Sequence, residues 1–104
     1  MTTTMVPAMP MPTGVCPHCG GPAHQTERYP RHLCAACIGR ARDRAGRPVE
    51  LMSGAGFFAE HRDDASRCDQ VTLDERVLID GVEFVAREDY WGGVVVQPVT
   101  PADR

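Results

Sequence analysis

The chain has 104 residues, 42% of them hydrophobic and 24% charged, with a formal net charge of −3. That is one ordinary globular domain, or one small module with an extension. No stretch approaches the roughly 18 apolar residues that span a membrane, and an acidic chain is not drawn onto phosphate by long-range charge. With 6% aromatic residues, a second source of stability is expected beside the hydrophobic core.

The opening "MTTTMVPAMPMPTG" has no basic start and no continuous apolar run, so it does not read as a signal peptide. Residues 1–14 are expected to be a disordered leader rich in Pro and Met. A cytoplasmic location follows as an expectation, and there paired cysteines more often hold metal than form disulfides.

Residues 15–47 form the cysteine module. Cys16, Cys19, Cys34 and Cys37 are spaced Cys-x2-Cys-x14-Cys-x2-Cys. Four thiolates so placed can meet at one tetrahedral Zn²⁺. In "CPHCGG", Pro17 fixes φ after the first ligand. Gly20 and Gly21 permit the left-handed turn that brings backbone N–H groups toward the sulfurs. A short β-hairpin is expected across "AHQTERYPRHL", bending near Tyr29-Pro30. The second pair opens "LCAACIGRARDRAG", rich in good helix formers and stopped by Gly46 and Pro48. A helix from about Cys34 to Ala45 is predicted, with the last two ligands in its first turn, where the macrodipole favours thiolate charge.

Knuckle, hairpin and ligand-bearing helix together make a treble-clef arrangement. At "LCAACIGRARDRAGRPVEL" the chain resembles the GATA-type zinc fingers, whose second pair opens a helix in a Leu-Cys-x-Ala-Cys context. The resemblance covers residues 16–48 and implies the ligand role of the four cysteines. The loop between the pairs is shorter than in that family, and acidic sequence stands where the family has a basic tail. The DNA-reading role therefore does not carry over. The whole chain resembles small bacterial zinc-ribbon proteins in which a β-rich half ending in "GGVVVQP" follows the cysteine module, a likeness that implies no activity.

One Zn²⁺ per chain is the expected cofactor. Iron in a rubredoxin-like site is less favoured, because the second pair lacks the knuckle form. Disulfides and a redox-active Cys-x-x-Cys are less favoured still. Four cysteines leave no open position, so the site reads as structural. His18, His24 and His32 are expected as polar surface or hairpin residues. Cys68, in "ASRCDQ", is expected as a free cysteine.

Residues 48–100 form an acidic half, with a net charge of −7 over 48–104 against +4 over 16–47. This half is expected to pack on the zinc module. "PVELMS" and "GFFAEHR" are expected to pair across a Ser53–Gly56 loop, and "DDASRCDQ" to be an exposed loop. In "RVLIDGVEFVARED", Asp80-Gly81 predicts a type I′ hairpin, because both positions then need positive φ. The register follows: Ile79 faces Val82, Val77 faces Phe84, and Glu75 faces Ala86. On the other face Leu78 meets Glu83, Arg76 meets Val85, and Asp74 meets Arg87. A further strand over 94–97 is expected to be buried on both faces and ended by Pro98. Residues 101–104 are a tail.

"EHRDD", with His61, Glu60, Asp63 and Asp64, and the later Asp89 match no catalytic spacing. No catalytic residue is assigned, and an enzyme is not expected. The first reading is a small zinc-binding α+β protein serving as a protein-interaction or regulatory module, with Tyr29 and Trp91 as candidate contacts. "DYWGG", with Tyr90 and Trp91, also reads as core. The alternative is a nucleic-acid binder using Arg40, Arg42, Arg44 and Arg47. No membrane partner is expected.

Overall fold

A computed structural model describes residues 14–25, 29–54, 56–89 and 93–103. The expectations for leader residues 1–13, for Tyr90 and for Trp91 lie outside them.

The chain is small and α+β. A two-residue ladder joins β1 (Gly14–Val15) to β2 (Pro22–Ala23) across the first cysteine pair. Helix α1 (Ala35–Ile38) carries Cys37 of the second pair, with Cys34 at its N-cap position. Strands β3 (Val49–Met52) and β4 (Phe58–His61) form an antiparallel hairpin, with Leu51 opposite Ala59, from the two segments expected to pair. After them comes α2 (Asp69–Asp74). Strands β5 (Arg76–Ile79), β6 (Val82–Glu88) and β7 (Val94–Pro98) follow as an antiparallel sheet in the order β5-β6-β7.

The β5–β6 register is the predicted one for four pairs, from Arg76↔Val85 to Ile79↔Val82. Asp80 and Gly81 have φ of 53° and 79°, as the type I′ turn requires. The expected pair Asp74↔Arg87 is not made. Asp74 ends α2, and Glu75 turns the chain into β5 at φ 54°, while its carbonyl still accepts the Ala86 N–H at 2.9 Å. Val95 and Val96 of β7 are both buried, as a strand covered on two faces should be, and Pro98 is its last residue.

Three further expectations are corrected. The helix predicted to Ala45 stops after one turn. Gly39 costs about 1 kcal/mol relative to Ala in a helix, and beyond it the backbone has a better use. Arg42 donates to and accepts from Leu78, at 2.8 and 2.9 Å, along the free edge of β5. Ala41, buried, accepts the Val49 N–H at 3.0 Å. Tertiary pairing thus overrides local propensity. The second correction is the hairpin across "AHQTERYPRHL". Its described residues form no strand after Ala23, and the Gln25 side chain braces the loop instead. That side chain accepts from the His32 N–H at 2.7 Å and donates to the His32 carbonyl at 2.8 Å. The third is "DDASRCDQ", whose end begins α2, with Cys68 only 2% exposed at the N-cap position. The expected tail is also anchored. Asp103, in a 3-10 turn over Pro101–Asp103, accepts from Arg76 and Arg87.

The cysteine module straddles the three-stranded sheet. Leu33 donates to the Val96 carbonyl at 2.9 Å on the outer edge of β7, and Arg42 pairs at the outer edge of β5. Both exposed edges are thereby covered. Between them Cys16, Leu33 and Cys37 join Val77, Ile79, Phe84, Ala86 and Val96 in one apolar core.

Candidate metal centre

The four cysteines predicted to be ligands are brought together from two local structures. In the knuckle, Cys16 donates its N–H to the Gly21 carbonyl at 2.7 Å, and Gly20 donates back to the Cys16 carbonyl at 2.9 Å. Gly20 takes the left-handed φ of 77° that this turn needs. Gly21 then donates its N–H to Cys19 Sγ at 3.3 Å, and a Cβ at Gly21 would stand 3.3 Å from the same sulfur. In the second pair, Cys34 precedes α1 and Cys37 lies one turn on, so both sulfurs face the knuckle.

The four Sγ atoms all lie within 4.8 Å of one another, with Cys16–Cys37 at 3.8 Å and Cys19–Cys34 at 3.6 Å. A tetrahedral ion bound at about 2.3 Å sets its sulfurs about 3.8 Å apart. A disulfide needs about 2.05 Å, and all four are free thiols. The group is therefore compatible with a structural metal site. Burial opposes ionisation of Cys16, but N–H groups of Cys19, Cys34 and His18 bring its thiol down to about 6. Burial and the three neighbouring sulfurs push Cys37 up to about 12.

The flanking residues tie this group to the sheet. His18 points away from the sulfurs. Its Nε2 lies 2.8 Å from Asp80 Oδ2, and its ring packs edge-on against Phe84 at 5.2 Å. Arg40 donates to Asp80 Oδ2 at 2.8 Å and to Cys37 Sγ at 3.6 Å. Those two partners hold the Asp80 carboxyl down to about 2. The hairpin turn is thus pinned to both halves of the cysteine group.

The four arginines of the nucleic-acid alternative do not share a helix face. Arg40 pairs with Asp80, Arg44 with Asp74 and Glu83, and Arg47 with Asp63 and Asp64. Arg42 donates to the Gly46 carbonyl at 2.8 Å. Tyr29 is half-buried beside a cavity of about 200 Å³ lined also by His24, His32, Asp89 and Val94. His32 Nδ1 sits 3.3 Å from the Val96 backbone.

One group of side chains escaped the sequence reading. Asp43, His61 and Cys68 converge from three segments, with their ligand atoms within 4.8 Å of one another. His61 belongs to the "EHRDD" cluster, but Asp43 and Cys68 lie in unremarkable stretches, and gaps of eighteen and seven residues match no motif. Burial works against the Asp43 carboxylate, yet the Arg47 N–H and the His61 and Cys68 side chains hold it below the usual range. Burial and Asp43 push the Cys68 thiol up.

Comparison with protein-family models, with curated proteins and with solved structures finds no match, so the role of these groups is argued from their own geometry. Among the described residues, no helix is long and apolar enough to cross a membrane.

Proposed function

We propose that the chain is a small protein-interaction or regulatory module whose fold is completed by a structural zinc ion on Cys16, Cys19, Cys34 and Cys37. The carrying observation is that the four sulfurs lie within 4.8 Å of one another, with two of the pairs at 3.8 and 3.6 Å, close to the edge length of a tetrahedral site. Zinc is preferred to iron because the second pair sits on a helical turn rather than a second knuckle. Four thiolates leave no coordination position for a substrate, which supports a non-catalytic role for this ion.

A protein partner is preferred to nucleic acid because three of the four arginines already face carboxylates of the acidic half. Tyr29, beside its shallow cavity, is the contact to test first.

The metal is tested by mapping thiol reactivity in the native full chain. The four cysteines should resist alkylation as purified and react after chelation, and Cys37→Ser should lose one zinc equivalent. A metal-free protein with four reactive thiols would overturn the site. The nucleic-acid alternative is tested with DNA and RNA at about 150 mM salt, where phosphate contacts weaken steeply. Little binding is expected, and no loss on changing Arg40, Arg42 and Arg44 together to Gln. Submicromolar binding abolished by that change would reverse the order of the two readings.

A further inference from the structure

We infer that Asp43, His61 and Cys68 form a second metal site, taking a divalent transition ion such as Zn²⁺ through one carboxylate oxygen, one imidazole nitrogen and one thiolate. This site is independent of the four-cysteine group in residues and in argument.

Three backbone-locked positions build it. Asp43 heads a turn closed by the Gly46 N–H on its carbonyl at 3.0 Å, and its Oδ1 accepts the Arg47 N–H at 2.9 Å. His61 ends β4, and its N–H bonds the Ser66 carbonyl at 2.7 Å. Cys68 is held by its own N–H on the Ala59 carbonyl at 2.8 Å. Asp43 and Cys68 are 6% and 2% exposed, so neither is an incidental surface group. Ligands on rigid, buried positions need little reordering to bind.

The free atoms point at one spot. Asp43 Oδ2 lies 3.0 Å from His61 Nε2 and 3.7 Å from Cys68 Sγ. A tetrahedral zinc with ordinary bond lengths sets carboxylate oxygen and imidazole nitrogen about 3.3 Å apart, and oxygen and thiolate about 3.5 Å apart. Small shifts of the side chains suffice to admit the ion.

The hydrogen bonds behind His61 complete the argument. Ser66 Oγ donates its one proton to Asp64 Oδ1 at 2.6 Å. It is therefore an acceptor toward His61 Nδ1, 3.0 Å away. Nδ1 then carries a proton, and in a neutral ring Nε2 presents its lone pair to the Asp43 carboxylate. Two acceptors face each other at 3.0 Å unless a proton or a cation lies between them. An Nδ1–H held by an outer partner is also how metal-binding histidines are oriented. Among the described residues, no fourth Cys, His, Asp or Glu joins the group. The fourth position belongs to water or a small anion, as in open zinc sites. Asp43 also lines an open cavity of about 450 Å³ with Arg42, Arg44, Pro48 and Leu78, which gives solvent a path to that residue.

The test is metal stoichiometry on the reduced full chain, loaded with Zn²⁺ and desalted, with a parallel Co²⁺ titration followed by its visible bands. Two ions per chain are expected, in place of the one implied by the cysteine pairs. Cys68→Ala and His61→Gln should each reduce the count to one and remove one Co²⁺ phase, leaving the thiolate-rich spectrum of the other site. Wild-type protein holding one ion, with both variants still holding that one, overturns the second site and leaves the four-cysteine reading intact. Should Cys68→Ala fail to fold, His61→Gln decides alone: an unchanged count overturns the proposal and a loss of one supports it.

Discussion

Gly81 and Cys37 show what single residues contribute to the fold and to the proposed metal site. Gly81 sits at φ 79°, a left-handed conformation that costs a residue with a Cβ roughly 1–2 kcal/mol. Gly81→Ala should lower stability by about that amount, read from the urea midpoint of the metal-loaded chain. Nothing lies within 4 Å of the added Cβ, so the loss is conformational rather than a clash. The Cys37 thiol, pushed up to about 12, is protonated at neutral pH in the absence of a metal. Metal ligation needs the thiolate, so loading releases at least this proton. Protons therefore compete with the ion. Apparent zinc affinity should fall by about tenfold or more for each pH unit lost below neutrality, as read by competition with a chelator of known affinity.

Among the elements, α2 was hidden from sequence reading by its length and its polar start. Only Val71 is fully buried in its six residues, and Leu73 on the other side is 79% exposed. One apolar contact per turn leaves no periodicity to detect. The helix forms because Val71 fills the core, while Thr72 Oγ1 accepts the Ala59 N–H at 3.0 Å and donates to the Cys68 carbonyl at 2.7 Å. Val71→Ala should cost about 1.5–3 kcal/mol. Leu73→Gln should change stability by less than about 0.5 kcal/mol. Equal effects in thermal melts would show that the two faces are misassigned. The helix α1 fails in the opposite way: its sequence favours more turns than it has, and the edge of β5 claims the backbone first.

For the whole molecule, the cysteine group and the sheet share one core, since Cys16 and Cys37 pack with Ile79 and Phe84. A segment the size of the cysteine module cannot bury enough apolar surface to fold alone. Zinc in finger-sized domains contributes on the order of 10–16 kcal/mol at neutral pH. Stripping the metal should therefore expose more than residues 16–45. The Leu33 amide, bonded to the Val96 carbonyl, and the Val96 amide, bonded to His32 Nδ1, should lose hydrogen-exchange protection together. If β7 keeps full protection in the chelated protein, the sheet is stable without the module.

The four-cysteine cluster and the Asp80-Gly81 hairpin were legible in the sequence because each depends on a short local rule. Cysteines two residues apart share one turn, and a two-residue loop dictates the register on either side. The pairing of 49–52 with 58–61 was legible for the same reason, a short loop between two β-rich runs. The end of α1, the burial of Cys68, and the meeting of Asp43 with His61 and Cys68 were decided only by tertiary structure. Each depends on a partner outside its own turn or helix: Leu78 for Arg42, Ala59 on strand β4 for Cys68, and residues eighteen and twenty-five positions away for Asp43. Such partners become neighbours only after the sheet has formed, so no local pattern records them.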